Sequence, residues 1–232
     1  KMKDQPRVSF IDRKNEIKQI RWPQNTLPFD LEGLVGLPDY KDQFIMMESR
    51  GLCYRVLIDS LYYKITIINV FELPNIKVHM NLEGLNVFKN DSNYTIVYGD
   101  RGSHIRQSVI FIASYDPSGD FISNIETYTV SLPEPNNHKR NIADLAIDSK
   151  NVLWTSATSD PGDNGPFETK LYKLGQFNTT GNFIPYKAYE PSFSFPGQKV
   201  EAMVFKDNHL FMMTDNENLG SSFHDVDLSL LK

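Results

Sequence analysis

Three glutamates occupy equivalent positions in a repeated sequence pattern. Glu32 lies within Leu-Glu-Gly-Leu, Glu83 lies within a second copy of the same four residues, and Glu201 lies within Val-Glu-Ala-Met. Carboxylates that converge on one point repel each other and resist joint ionisation, unless a cation or an arginine neutralises them. Hard divalent cations with oxygen ligands, calcium above all, suit such a cluster. The pattern therefore predicts a calcium site if the three glutamates meet.

Two arginines offer a competing interpretation. Arg50 follows Glu32 by 18 residues, and Arg101 follows Glu83 by the same 18. Each of these repeats can therefore hold its own Glu–Arg ion pair, which compensates a buried charge without a metal. In the fourth repeat an asparagine replaces the arginine. Ion pairing, metal binding and a plain surface position all stay open, and ion pairing is favoured.

Polar residues end the second apolar run of every repeat, on the side where the glutamates are expected to gather. The candidate ligand contacts among them are Arg50, Asp100, Arg101 and Asn216. Two further residues, Asp215 and His224, follow the second run of the last repeat. They are the candidate general bases if this surface hydrolyses a substrate, since a base must lie within reach of the reacting water.

The repeated pattern opens a similar series of strand-like segments each time. Its second position falls at residues 32, 83, 143 and 201, so the intervals are 51, 60 and 58 residues. A short apolar run, a turn rich in Asp, Asn and Lys, and a second apolar run follow each copy, as expected for short buried strands. Two longer runs come next; in the third repeat they are residues 170–174 and 183–189. Four strands per repeat, arranged radially, form a β-propeller blade.

The two ends of the chain supply partial repeats. Residues 8–12 and 16–21 are typical of two outer strands, and the last repeat ends after residues 223–230, about one strand short. The ends can therefore complete one blade between them and close the ring, which removes the open sheet edges. A β-sandwich also has many short strands but no such repeat. We predict an all-β, single-domain β-propeller over residues 1–232, with four blades favoured over five.

Composition restricts the partners. The chain has 232 residues, 40% of them hydrophobic and 23% charged, and a formal charge of −5, which is typical of a soluble globular protein and gives no basis for nucleic-acid binding. No run approaches the roughly 20 apolar residues of a membrane-spanning helix, so no membrane insertion is expected. A single cysteine, Cys53, excludes an intrachain disulfide. We expect a monomer whose partner is a small polar ligand or a protein.

Two segments resemble known bacterial propellers. Residues 29–34, Phe-Asp-Leu-Glu-Gly-Leu, resemble the "D-x-EG" blade opening of the SdiA-regulated and phytase-esterase-like groups. Residues 199–203, Lys-Val-Glu-Ala-Met, together with residues 213–216, Met-Thr-Asp-Asn, resemble their late "K-x-EG … D-N" blade. The likeness spans most of residues 29–223 and rests on these short motifs. It favours an extracytoplasmic location, periplasmic or secreted.

The resemblance extends to the gluconolactonase and paraoxonase propellers at the mouth of the central channel. Those families place Glu, Asn or Asp at the start of the inner strands to hold calcium or another divalent ion. Glu32, Glu83 and Glu201 match these positions, whereas the third repeat has Ala143 there, followed by Asp144. The resemblance thus implies a calcium site made by the three glutamates, with Asp144 as a fourth candidate ligand.

Three functions are consistent with these residues. The favoured hypothesis is a propeller binding module whose acidic channel mouth binds a small polar ligand or a divalent cation. The first alternative is a calcium-dependent hydrolase of an ester, lactone or phosphoester, in which the ion polarises the substrate and Asp215 or His224 is the base. The second alternative is a protein-interaction scaffold without catalysis.

Overall fold

The computed structural model describes residues 8–12, 14, 16–103 and 105–230. Strands make up most of this part of the chain, and its helical content consists of two short 3-10 turns, Glu217–Leu219 and Leu228–Leu230. None of the described helices is long and apolar enough to cross a bilayer. The chain divides into two compact units, Lys1–His79 and Met80–Lys232, which are described separately.

The first unit contains one hairpin and one four-stranded antiparallel sheet. The hairpin strands are β1 (Val8–Ile11) and β2 (Ile17–Ile20), and the sheet consists of β3 (Leu31–Gly36), β4 (Gln43–Glu48), β5 (Leu52–Asp59) and β6 (Lys64–Glu72) in that order. Apolar side chains of the hairpin and the sheet share one core, in which Trp22 meets Tyr54 edge to face with 5.1 Å between ring centroids. This core buries the dense apolar run of β4, because Ile45 and Met47 are fully buried.

The second unit contains three antiparallel sheets. Its first sheet consists of β7 (Leu82–Asn90), β8 (Asn93–Asp100), β9 (Ser108–Asp116) and β10 (Phe121–Val130) in sequence order. Its second sheet consists of β11 (Lys139–Ile147), β12 (Val152–Ser159), β13 (Glu168–Phe177), β14 (Phe183–Pro185) and β15 (Pro191–Pro196). Its third sheet consists of β16 (Val200–Lys206), β17 (His209–Thr214) and β18 (Phe223–Asp227).

The turns between the first two strands of each sheet have the backbone that their residues favour. Asp91, Asn151, Asp207 and Asn208 all have positive φ angles, between 49° and 68°. Asp and Asn adopt this left-handed conformation more readily than other side chains that carry a Cβ. The positions of these turns agree with the sequence prediction.

The outer part of the second sheet differs from the prediction. The run predicted over residues 183–189 forms a strand only as far as Pro185, because proline has no N–H to donate to the ladder. Strand β15 then returns and pairs with the first half of β13, whose second half pairs with β14. Two short strands therefore occupy the place of one outer strand.

The first strands of the three sheets in the second unit pack next to each other, with β11 between β7 and β16. Gly84 makes one of these contacts close: a Cβ there would lie 2.5 Å from Cγ of Leu145. On the other side of β11, the carboxylate of Asp144 accepts a hydrogen bond from the backbone N–H of Met203 at 2.6 Å. The small residue that follows Glu83 in the repeat is thus required by the approach of the neighbouring inner strand.

The fold is all-β, and the four sheets β3–β6, β7–β10, β11–β15 and β16–β18 have the sequential antiparallel strand order of β-propeller blades. This confirms the fold class, and four blades is the count that the described strands support. The single-domain organisation and the closure of a ring by the terminal strands stay predictions.

Candidate functional site

A hydrogen bond recurs at the end of the second strand in three of the four sheets. There a side-chain oxygen accepts the backbone N–H of a residue just before or at the start of the first strand. The donor–acceptor pairs are Phe29 with Glu48, Asn81 with Asp100, and Lys199 with Asn216, at 2.8, 3.0 and 2.8 Å. These contacts fix the two strand ends against each other, so the polar ends that the sequence singled out have a structural role within their own sheets.

Asp100 is fully buried by this arrangement. Its Oδ1 also accepts a hydrogen bond from Nη2 of Arg106 at 3.1 Å, and its Oδ2 forms an ion pair with the same guanidinium. Asn216 is 6% exposed, and its Nδ2 donates to Oε1 of Gln198 at 3.1 Å. Both residues were predicted as ligand contacts, and that assignment stays a prediction.

Seven charged side chains of the second unit are connected by short contacts at the starts of β7, β11 and β16. This charged cluster consists of Glu83, Arg101, Arg140, Asp160, Lys199, Glu201 and Glu217. The repeat explains how residues so distant in sequence meet, since the starts of adjacent inner strands lie on the same side of the unit. Four carboxylates and three cations alternate through the cluster.

Glu83 is the most enclosed carboxylate of the cluster, with 2% of its surface exposed. Nη1 of Arg101 donates to its Oε1 at 2.6 Å, and Nη1 of Arg140 lies 3.4 Å from the same oxygen. The ion pair that the 18-residue spacing predicts is therefore present. Burial raises the pKa of Glu83 to about 7, against the lowering effect of the two arginines. Among the described residues, none forms a hydrogen bond with its other oxygen, Oε2.

Arg140 and Lys199 connect the rest of the cluster. Nη2 of Arg140 contacts Oδ2 of Asp160 at 2.5 Å, and Nζ of Lys199 lies 3.3 Å from the same oxygen. Burial favours the neutral acid of Asp160, but the charges of Arg140 and Lys199 outweigh it and lower its pKa. Asp160 is thus an ionised carboxylate held between two cations.

Lys199 is 3% exposed and contacts three carboxylates. Its Nζ lies 2.6 Å from Oε1 of Glu217 and 3.5 Å from Oε1 of Glu201, in addition to its contact with Asp160. Burial alone would lower the pKa of Lys199, but the hydrogen bond to Glu217 and the charges of Glu201 and Asp160 raise it above its usual value. Lys199 is therefore a permanent cation of the site and not a nucleophile.

Glu201 is held less tightly than Asp160. Burial raises its pKa, and the charges of Lys199 and Arg140 offset this only in part. Its Oε1 is buried, and within the described ranges of the chain it makes no hydrogen bond. Like Glu83, it therefore presents a carboxylate oxygen that lacks a donor.

Asp144 has a structural contact beside the cluster. The backbone N–H of Met203 donates to its Oδ2, so this carboxylate joins β11 to β16. Burial raises the pKa of Asp144 to about 8, and the nearby charge of Glu201 acts in the same direction. The predicted metal ligand is thus a partly protonated acid at neutral pH.

Glu32 and Arg50 belong to the first unit. Glu32 lies in β3 and is partly buried, and the guanidinium of Arg50 lies over the ring of Phe29, 4.4 Å from its centroid. The predicted pair between Glu32 and Arg50, and the convergence of Glu32 with Glu83 and Glu201, stay predictions.

The two candidate bases lie at different depths. Asp215 is exposed, its Oδ1 accepts the N–H of Glu217 at 3.1 Å, and its charge raises the pKa of Glu201. His224 lies on β18 opposite Met212, with β17 between it and the strand of Glu201. Its Nε2 is buried and makes no hydrogen bond to any residue that the structure describes. A catalytic role of either residue stays a prediction.

Sequence analysis missed Arg140 and Lys199 as members of the site. Arg140 lies in the repeat that has alanine in place of glutamate, and it reaches across to Glu83 of the neighbouring sheet and to Asp160 of its own. Lys199 lies two residues before Glu201. The available signal was a cation within three residues of the pattern in each of these repeats, whereas the prediction looked for cations only at the 18-residue spacing.

The donor set does not fit a divalent cation. In residues 8–12, 14, 16–103 and 105–230, no three His, Cys, Asp or Glu side chains are grouped so as to hold a metal ion. Within the charged cluster, every carboxylate has an arginine or lysine nitrogen within 3.5 Å. Cationic side chains therefore occupy the places that a metal would take, and calcium stays a prediction to be tested by titration.

Comparison with known proteins gives no family assignment. No family model matches the sequence, and no curated protein matches it significantly. Solved structures that resemble the chain include an exo-1,5-alpha-L-arabinanase from a bovine ruminal metagenomic library. It is 9% identical, the match covers 84% of this chain and 92% of the arabinanase chain, and the TM-score is 0.38. The assignment to the propeller class accordingly follows from the strand order within the sheets.

Proposed function

We propose that the chain is a propeller binding module, and that its charged cluster binds a small polar ligand rich in hydrogen-bond donors. The observation that supports this most directly is the pair of buried carboxylate oxygens without donors, Oε2 of Glu83 and Oε1 of Glu201. An unsatisfied buried polar atom costs about 1–3 kcal/mol, and more when the group is charged. A ligand that supplies O–H or N–H groups removes this cost.

The neighbouring cations define the ligand further. Arg101 and Arg140 have 29% and 27% of their side-chain surface exposed, so their guanidinium groups are partly accessible beside Glu83. A hydroxyl group can donate to a carboxylate and accept from a guanidinium at the same time. We therefore expect a polyhydroxylated or aminoalcohol ligand to bind better than a plain anion.

Charge balance also favours a donor over an anion. The cluster has four carboxylates and three cations, so it is acidic when all of its groups are ionised. The raised pKa values of Glu83 and Glu201 express this excess of negative charge. An anionic ligand would add to the excess, whereas a hydroxyl or ammonium group compensates it.

Thermal unfolding with added probes tests the proposal. The probes are erythritol, ethanolamine and calcium chloride, with sodium chloride at matched ionic strength as the blank. Specific binding at about 100 times the dissociation constant adds about 2.7 kcal/mol to the stability. For a chain of this length, that raises the melting temperature by about 5–11 °C.

The variant Glu83→Gln separates site binding from a solvent effect, because it replaces the carboxylate by an amide of the same shape. We expect it to lose the stabilisation by the probe, while the exposed Glu190→Gln keeps it. The proposal is wrong if no probe stabilises the wild type, or if both variants respond as the wild type does. Stabilisation by calcium alone, lost in Glu83→Gln, would instead favour the metal site.

A further inference from the structure

A second concave site of the second unit lies at the opposite ends of the inner strands. It is a cleft of about 520 Å³ between the sheet β11–β15 and the sheet β16–β18. On β11, Arg140 of the charged cluster and Ile147 of the cleft are separated by roughly 23 Å of strand, at about 3.3 Å per residue. The cleft therefore shares no lining residue with the site proposed above.

Aromatic side chains form the wall of this aromatic cleft. The indole of Trp154 lies 6.0 Å from the ring of Phe193, nearly parallel to it, and 5.3 Å from the ring of Phe205. Nε1 of Trp154 donates to Oδ2 of Asp148 at 2.9 Å, which fixes the orientation of the indole. The wall is thus a preformed apolar surface and not a set of mobile side chains.

The rim of the cleft carries three exposed lysines, Lys150, Lys173 and Lys206. Nζ of Lys173 lies over the Trp154 ring, 4.9 Å from its centroid. In the part of the chain that the structure describes, none of the three lysines belongs to an ion pair. Three ammonium groups therefore face solvent around an apolar wall, in a chain whose formal charge is −5.

The acidic groups of the rim do not cancel these cations. Both oxygens of Asp148 are engaged, since Oδ1 accepts the N–H groups of Lys150 and Val152 at 2.8 and 3.0 Å and Oδ2 accepts from the indole. The pair between Nδ1 of His209 and Oδ1 of Asp225, at 2.6 Å, balances itself when the histidine is protonated. Asp207 is the remaining carboxylate that lines the cleft, against three lysines.

We propose that the aromatic cleft binds a small organic anion with a flat apolar ring, such as an aryl carboxylate or aryl sulfonate. The ring packs against Trp154 and Phe205, and the anionic group meets Lys173 and Lys206 at the rim. The volume of the cleft lies within the range of about 300–1,000 Å³ that small-molecule sites occupy. This inference is independent of the function proposed for the charged cluster.

The test uses a fluorescent anion and its neutral counterpart. The probes are 8-anilinonaphthalene-1-sulfonate and N-phenyl-1-naphthylamine, which share the aromatic body and differ in the sulfonate. The chain has two tryptophans, so the background Trp22→Phe leaves Trp154 as the sole indole reporter. We expect saturable 1:1 binding of the sulfonate, with quenching of Trp154 emission, and binding of the neutral dye at least about fivefold weaker.

Lysine variants place the anion. Lys173→Met and Lys206→Met are each expected to weaken binding of the sulfonate about fivefold and to leave the neutral dye unchanged. Lys89→Met is the matched control, because Lys89 also lies over an aromatic ring, that of Tyr94, outside the cleft. Lack of saturation below about 1 mM, equal affinity for both dyes, or equal loss in the Lys89 variant would each overturn the proposal.

Discussion

The charged cluster and the aromatic cleft lie at opposite ends of the same inner strands, yet they are built by different means. At the starts of the strands, equivalent positions of the repeat converge, so Glu83 and Glu201 face a common set of cations. At the ends of β11 and β16, the repeats have diverged, and one pair of sheets alone supplies Trp154 and Phe205. Repetition thus gathers charges at one end, and local variation creates an apolar site at the other.

The comparison implies different energetic consequences. Members of the charged cluster depend on one another, because each carboxylate is buried beside a cation that itself needs that charge. The lysines of the aromatic cleft are exposed and independent, so their loss affects binding more than stability. The following substitutions test this difference, beginning with the largest expected effect.

Lys199→Met removes the cation that three carboxylates share. We expect it to lower the free energy of unfolding by about 3–5 kcal/mol at pH 7, because the loss of one partner leaves buried charges uncompensated. Urea unfolding measures the change, and the melting temperature should fall by about 10 °C. The control Lys187→Met replaces an exposed lysine and should change the stability by less than about 0.5 kcal/mol. Equal effects of the two substitutions would refute the mutual dependence of the cluster.

Glu83→Gln should change how stability depends on pH. The folded pKa of about 7 lies above the ordinary value of 4.5, so the folded state keeps a proton that the unfolded state releases. The contribution of Glu83 is therefore fully present below pH 4.5 and is lost as pH rises to about 7, amounting to about 3 kcal/mol. We expect urea unfolding between pH 4.5 and 7.5 to show a smaller decline in the variant. Glu190→Gln should decline like the wild type.

Gly84→Ala tests the close approach of the inner strands beside the cluster. The new methyl group would lie 2.5 Å from Cγ of Leu145, and we expect a loss of about 1–3 kcal/mol as the strands move apart. Gly36→Ala is a matched control in the first unit, where the nearest atom, on Phe44, is 3.8 Å away. Thermal unfolding should show a clear loss for Gly84→Ala and little change for Gly36→Ala.

Trp154→Phe should have the smallest effect on stability, and it concerns the aromatic cleft. It removes the hydrogen bond to Asp148 while keeping an aromatic ring, so we expect a loss of about 1–2 kcal/mol. Trp22→Phe is the comparison, since no described residue accepts a hydrogen bond from the Trp22 indole N–H. If urea unfolding gives Trp22→Phe the larger loss, the bond to Asp148 does not determine the orientation of the cleft wall.

The sequence predicts the strands and turns of this chain better than it predicts the site. The turns at Asp91 and Asn151 and the four-stranded sheets follow from local chemistry and from the repeat, both of which a single sequence displays. The pair of Glu83 with Arg101 follows from the spacing within one sheet.

The contacts between sheets could not be predicted in this way. Arg140 joins Glu83 to Asp160 over sequence separations of 57 and 20 residues, and no spacing rule within one repeat points to such a contact. The split of the outer strand after Pro185 depends likewise on how β15 returns to β13, which the apolar pattern of residues 183–189 does not indicate.

That split outer strand has a consequence for how the aromatic cleft can change. Between β14 and β15 the chain leaves the sheet, and in this stretch Tyr186 donates its backbone N–H to the carbonyl of Leu174 and lines the cleft. Strand β13 has separate partners along its two halves, so residues 186–190 can lengthen or shorten without shifting either pairing. Ligand preference at the cleft can therefore diversify among homologues by insertion at this one point, while the blade keeps its register.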